Sequence, residues 1–295
     1  MKILVMGKSG QLACSLVERA KDCPGIELVA IGRPTMDLNV PGSAAGAILE
    51  RCPDLVINAA ADTDVDGAEE HRLHAFRLNA EAAGEIAAAA ATVGAPIIQL
   101  STDYVFDGTA ASPYGEDALP HPPNAYGRTK LAGEEAVRAA SPNHLILRTA
   151  WVYSPFGRNF VRTMFEAADE REELRVVADQ RGNPTSALKL ADALLKIANI
   201  WRNQGSKGLG ETYNLSGSGE ASWFDLAERV MVCRRRLGLG AARLVPISAK
   251  DWPMRAVRPQ YSALNNAKFA RDFGFSLPPW RDSVEEVVAR LAGAR

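Results

Sequence analysis

Tyr126 and Lys130 stand four residues apart in the run Asn124-Ala125-Tyr126-Gly127-Arg128-Thr129-Lys130. This run opens a stretch that reads as helical from Ala125 to Ala140, so phenol and ammonium share one face, a turn apart. A phenol with an unperturbed pKa near ~10 exchanges protons poorly at neutral pH, and a neighbouring cation draws it toward the working range. Upstream, Ser101-Thr102-Asp103-Tyr104 follows the apolar run Pro96-Ile97-Ile98-Gln99-Leu100, which delivers a hydroxyl from a strand end. Hydroxyl, phenol and ammonium together suit proton transfer to or from a carbonyl oxygen. By spacing alone, Y-x-x-x-K also describes a plain helix face, so the surrounding elements decide the reading.

Those elements alternate. Strands are expected at 2–6, 27–31, 55–58, 96–101 and 144–149, with helices at 11–21, 43–51, 70–93 and 125–140 between them. Continuous apolar strands separated by helices predict a parallel sheet covered on both faces, a doubly wound α/β domain of Rossmann-like type. The Ala-rich run from Ala80 to Ala91 fits a helix packed closely on that sheet. After Trp151 the pattern loosens, with helices at 159–170, 187–201, 223–237 and 283–291, an apolar piece at 174–178 and a surface loop at 205–210. We expect a dinucleotide-binding domain over 1–150, joined by segments of about 187–250. The rest of 151–295 is expected to form a smaller, interwoven substrate-binding part.

The first strand runs into Gly7-Lys8-Ser9-Gly10-Gln11-Leu12-Ala13 and then a helical pattern. Gly7 and Gly10 allow a tight strand-to-helix turn and let backbone N–H groups approach a pyrophosphate at the helix N-terminus. Directly after a first strand this spacing predicts dinucleotide binding. The second strand ends in Gly32-Arg33 with no acid for a free ribose 2′-hydroxyl, which favours NADPH, with NADH as the alternative. Asp37 and Leu38 are placed to flank the adenine. The small residues Ala59, Ala60 and Ala61, followed by Thr63, suit close passage of the cofactor along the third strand's end.

The whole-chain properties set bounds. The 295 residues include 47% apolar and 23% charged, an ordinary globular composition with ample core. A formal net charge of −1 gives no reason to expect nucleic acid or an anionic membrane as partner. The basic run Arg234-Arg235-Arg236 is expected to be a solvated helix C-terminus. Cys14, Cys23, Cys52 and Cys233 have neither metal-ligand nor disulfide-framework spacing. No apolar run reaches membrane-spanning length, and the start of the chain is too short in apolar residues for a signal segment. The expectation is a soluble, cytoplasmic protein.

Taken in order, these motifs resemble the extended short-chain dehydrogenase/reductases, and within them the branch acting on dTDP-4-dehydrorhamnose. The resemblance rests on the Gly7-to-Ala13 loop, Asn58-Ala59-Ala60-Ala61 with Thr63, Asp66 and Glu69, and Ser101 to Gly108. It continues through Tyr126 to Glu134, Arg148 to Tyr153, Asp179 to Thr185, Arg258-Pro259 with Ser262, and Leu277-Pro278 with Trp280. It implies reduction of the 4-keto group of dTDP-4-dehydro-6-deoxy-L-mannose to dTDP-L-rhamnose, a sugar nucleotide supplied to polysaccharide. In the implied site, Tyr126 donates the proton, Lys130 tunes it and holds the nicotinamide ribose, and Thr102 hydrogen-bonds the carbonyl oxygen. Asp103 and Trp151 are implied sugar contacts. Arg258, ahead of Arg181 and Arg255, is the favoured grip on the diphosphate.

Some members of the family hold Mg²⁺ with carboxylates at a dimer contact. Cys14-Ser15-Leu16 carries no acid there, so no metal is expected; a homodimer is allowed but not required. The alternatives are a sugar-nucleotide 4,6-dehydratase or epimerase, and a non-catalytic subunit resembling the methionine adenosyltransferase β subunit. Dehydratases carry an acid pair after the Thr, where this chain has Asp103-Tyr104; a regulatory subunit has no need of Thr102, Tyr126 and Lys130 together.

Overall fold

Ile3 and Val5 point to one side of β1 (Lys2–Met6), Leu4 and Met6 to the other, and all four are buried. A strand apolar on both sides requires cover on both sides. The computed structural model, which describes residues 1–205 and 207–294, supplies it with helices. After β1 come α1 (Gln11–Arg19), β2 (Glu27–Ile31), α2 (Ser43–Arg51) and β3 (Leu55–Asn58). The short helices α3 (Gly67–Glu70) and α4 (Arg72–Phe76) lead through a π-helical turn at Arg77–Glu81 into α5 (Ala82–Thr92). Next are β4 (Ile97–Thr102), α6 (Ala125–Ala140) and β5 (His144–Thr149).

The second half contributes β6 (Val152–Tyr153), α7 (Phe160–Glu170), β7 (Glu173–Val177), β8 (Arg181–Gly182) and β9 (Thr185–Ser186). It continues with α8 (Ala187–Gln204), β10 (Glu211–Asn214), β11 (Ala221–Ser222), α9 (Trp223–Arg236), β12 (Arg243–Ile247), α10 (Ala267–Phe273) and α11 (Trp280–Gly293). Among the described residues the main sheet has six strands, in the order β10-β5-β4-β3-β1-β2, with every neighbouring pair parallel. Residues of α1, α8 and α10 cover one face, and α2, α5 and Val137 of α6 cover the other. A third apolar cluster joins α7, α9 and α11 around Trp280. Among the described residues no helix is long and apolar enough to cross a membrane.

Three features depart from the sequence expectation. The helix expected over 70–93 is broken at His71, which lies outside helical geometry, and again by the π-helical turn that turns Asn79 inward. Strand β10 was hidden because Glu-Thr-Tyr-Asn has no apolar run, yet it pairs in register with β5 from Glu211↔Leu145 to Asn214↔Arg148. Arg234 is not solvated: it is 1% exposed, with its guanidinium bonded to Asp169 at 2.6 Å and to the Phe165 and Gly240 carbonyls, and set over the Phe165 ring. One charge of the basic run therefore ties α9 to α7, while Arg235 and Arg236 are exposed. The loop expected at 205–210 contains Ser206, which lies outside the described residues, as does Arg295 at the end of the expected second part.

Candidate active site

Five strands end at one rim. Gly7 follows β1, Gly32 follows β2, Ala59-Ala60-Ala61 follow β3, Thr102 ends β4 and Thr149 ends β5, with Ala150-Trp151 after it. In an open parallel sheet this carboxyl rim is where ligands bind. Gly7 has φ +113 and donates its N–H to the Ile31 carbonyl at 2.8 Å. A Cβ there would reach ordinary contact, 3.4 Å, with the Ala59 and Ala60 backbone, so it is the positive φ and not lack of space that calls for glycine at this turn.

Gly10 caps α1, with no side-chain hydrogen bond at the cap, no acid in the first turn and open space where a Cβ would stand. The first N–H groups of α1 are thus left to an anion. Gln11 does not face that space: its amide donates to the Val152 carbonyl (3.3 Å) and accepts from the Ser154 hydroxyl (2.9 Å). Leu12 and Leu38 are buried in the two apolar layers. Arg33 is exposed, and Asp37 spends Oδ1 on the Asn39 backbone and side-chain amides, both at 3.0 Å. Ala60 and Ala61 are half-buried and Thr63 is exposed.

The second group gathers around α6. Asn124 accepts the Gly127 N–H at 2.7 Å and starts the helix, and Gly127 lets it lie against Tyr104, whose carbonyl would meet a Cβ at 2.1 Å. Tyr126 thereby comes beside Thr102 and edge-on to Tyr104, with ring centroids 5.8 Å apart. Burial pushes the Tyr126 phenol well above its ordinary value, and the Thr102 hydroxyl pulls it part of the way back. Thr102 itself donates to Asp103 Oδ1 at 3.1 Å and accepts from the Tyr104 N–H at 3.2 Å. The ammonium expected to tune the phenol is occupied differently. Lys130 is buried and its Nζ donates to the Leu100 carbonyl at 2.7 Å; burial brings its pKa down to about 8, against an opposing pull from Glu134.

Asp103 is 2% exposed, burial raises its carboxyl to about 7, and Oδ2 has no partner. Trp151 takes φ +46, a left-handed conformation rare for a bulky residue. Its indole is tightly held: Trp223 lies face to face with it at 3.6 Å, and Gly182 approaches so closely that a Cβ would sit 2.6 Å from the ring. Arg258 is engaged with Asp66 at 3.0 Å, and its Nε is buried without a partner. Arg181 pairs with Glu220 and Arg255 with Glu70, so all three candidate phosphate arginines already face carboxylates. Among the described residues no group of His, Cys, Asp or Glu is arranged to hold a metal ion.

The geometry adds residues that spacing did not single out. Glu134, one turn beyond Lys130, accepts from Ser101, Arg148 and Arg138. Asn79 clamps the Asp62 backbone through both its N–H and its carbonyl and also reaches Thr129 on α6. The i,i+4 relation of Lys130 to Glu134 was visible in the sequence; the Asn79 contacts were not, because they depend on the π-helical turn.

The parallel sheet, the glycine turn at its first strand and the Tyr126–Lys130 helix beside Thr102 define an extended short-chain dehydrogenase/reductase architecture. The sequence matches the RmlD substrate binding domain family over residues 1–292. It is 43% identical over 291 residues to the dTDP-4-dehydrorhamnose reductase of Sinorhizobium fredii, covering 99% of this chain and 98% of that protein. It superposes on a dTDP-4-dehydrorhamnose reductase from Clostridium acetobutylicum with a TM-score of 0.90, at 36% identity over 99% of this chain and 100% of that one. The Bacillus anthracis reductase, solved in complex with NADP, gives a TM-score of 0.89 at 32% identity, covering 98% of each chain. The chain belongs to the RmlD substrate binding domain family, alongside these dTDP-4-dehydrorhamnose reductases.

Proposed function

We propose that this protein reduces the 4-keto group of dTDP-4-dehydro-6-deoxy-L-mannose to dTDP-L-rhamnose, using NADPH. The observation that carries the reading is the meeting of Thr102 and Tyr126 at the carboxyl rim, in a chain whose first helix begins with free N–H groups. NADPH, when bound, supplies hydride to C4 of the sugar. The α1 N-terminus, Gly7 and Gly10 receive the pyrophosphate, and the Ala60-Ala61-Thr63 segment borders the nicotinamide half. Tyr126 is protonated at neutral pH, as an unshifted phenol also is, and passes its proton to the much more basic alkoxide that forms at O4; the Thr102 hydroxyl offsets part of the weakening that burial imposes on it as an acid. Thr102 hydrogen-bonds the same oxygen and favours the charge that grows on it. Lys130 holds the nicotinamide ribose hydroxyls.

Asp103 Oδ2, buried and unpartnered, is a ready acceptor for a sugar hydroxyl, and Trp151, half-buried and stacked on Trp223, borders the sugar with the exposed part of its indole. Arg258 exchanges part of its hold on Asp66 for the diphosphate. Supplying the keto-sugar nucleotide and NADPH and following nicotinamide absorbance together with the sugar product tests the reading. Turnover to dTDP-L-rhamnose supports it; no turnover with this substrate but turnover with another keto-sugar nucleotide overturns the substrate assignment.

A further inference from the structure

Asn124 is fully buried, and its amide is used at both ends. Oδ1 accepts the Gly127 N–H at 2.7 Å, the bond that starts α6, and Nδ2 donates to the Val257 carbonyl at 2.8 Å. Starting a helix does not require asparagine, because Ser, Thr and Asp cap as well. An ionised Asp cannot donate, however, and a Ser or Thr hydroxyl must serve both partners from one atom, whereas the amide offers acceptor and donor on separate atoms. The Val257 carbonyl belongs to the peptide unit that leads into Arg258, so this bond fixes the plane from which the arginine departs. Asp66 ties the same segment to the start of α3: its Oδ1 accepts the Arg255 and Ala256 N–H groups at 3.1 and 2.9 Å, and Oδ2 accepts from the Arg258 guanidinium at 3.0 Å. Gly108 lies so close to Pro259 that a Cβ on it would sit 2.6 Å from the proline Cα. Arg258 also lies beside the Tyr104 hydroxyl, and Tyr104 packs edge-on to Tyr126.

We propose that Asn124 is a positioning residue for the reduction, holding the proton donor and the diphosphate grip at a fixed separation. The inference rests on the reading of Tyr126 as that donor and Arg258 as that grip. One end of the amide sets where the first turn of α6, and with it Tyr126, begins; the other sets the peptide that aims Arg258. A sugar nucleotide held at its diphosphate by Arg258 brings O4 to Tyr126 only while that separation is kept, and small misplacements of a reacting group are costly in rate.

The test is a double-mutant cycle on kcat/KM for dTDP-4-dehydro-6-deoxy-L-mannose, using wild type, Asn124→Ser, Arg258→Ala and the double variant, with NADPH affinity measured alongside. Asn124→Asp is run as a second replacement; both Ser and Asp keep a capping oxygen for α6, and where Asn124→Asp fails to fold, Asn124→Ser carries the test. Each single replacement at 124 is expected to lower kcat/KM about tenfold while leaving NADPH affinity within about twofold. In the Arg258→Ala background, Asn124→Ser is expected to lower it by less than about twofold, because its effect runs through the arginine. Equal factors in both backgrounds, or a loss of stability with kcat/KM unchanged, reduce Asn124 to a helix cap and overturn the inference. Weakened NADPH binding in step with kcat/KM marks a general distortion and overturns it too. Wild type that turns this substrate over while the variants match it removes the inference alone; wild type without turnover removes it together with the reading beneath it.

Discussion

Glu134 receives the Arg148 guanidinium through two hydrogen bonds, Nε to Oε1 at 2.8 Å and Nη2 to Oε2 at 2.7 Å, with both side chains buried. Burial alone would raise the Glu134 carboxyl, but the bonds from Arg148 and Ser101 hold it below its ordinary value. The pair locks α6 to β5, and the Ser101 hydroxyl, 2.6 Å from Oε1, adds β4. The helix that carries Tyr126 and Lys130 is therefore fixed to the strand that ends in Thr102. Glu134→Gln leaves Arg148 charged and uncompensated in the core. We expect a loss of about 3 kcal/mol in unfolding free energy, measured by denaturant titration. A loss below about 1 kcal/mol would show that the pair does not hold α6 in place.

Lys130 dictates the basic limb of the pH profile. Its folded pKa, about 8, lies below the ordinary 10.5 because burial penalises the ammonium. It is charged below about 8 and neutral above, while Tyr126, shifted upward by burial, stays protonated across that range. The kcat/KM for reduction should fall as the pH rises through about 8. A flat profile to pH 10 would detach the ammonium from turnover.

Asp103 offers a stability test with a definite sign. Burial raises its carboxyl from 3.8 to about 7, so its contribution is fully present below about pH 4 and lost as the pH rises through about 7. Asp103→Asn does not ionise. Its stability relative to wild type should therefore improve by about 2–4 kcal/mol between pH 4 and pH 8, read from thermal or denaturant unfolding at both values. A pH-independent difference would mean that the carboxyl titrates normally.

Trp223 stacks on Trp151, and Gly182 packs closely against the same indole. Trp223→Ala frees the strained indole, and the account expects KM for the sugar nucleotide to rise about tenfold with a smaller change in kcat. Trp223→Phe keeps a ring in the stack and should recover most of the loss. Equal KM values for all three proteins would show that the Trp151–Trp223 stack does not shape the sugar subsite.

The sheet was readable because each of its first five strands is a continuous apolar run, which demands burial on both faces wherever it occurs. The Gly7 turn and the α6 run were readable because their residues act locally, within one turn of helix or one strand-to-helix joint. What escaped depends on residues far apart in the chain. Arg234 looks like any helix-end arginine until Asp169 and Phe165 come beside it. Trp151 and Trp223 have no sequence relation, and β10 becomes a strand only because β5 offers it an edge. Lys130 was expected to tune the phenol; the bond its buried ammonium makes to the Leu100 carbonyl comes from a strand thirty residues away and has no signal in the spacing.

The central claim is that Tyr126 donates the proton to the sugar O4. The measurement that tests it most directly is single-turnover oxidation of NADPH by wild type and Tyr126→Phe, each saturated with dTDP-4-dehydro-6-deoxy-L-mannose, with NADPH affinity measured alongside. The account predicts unchanged NADPH affinity and a rate lower by about 10²–10⁴ for the variant. A variant that retains most of the wild-type rate would contradict it.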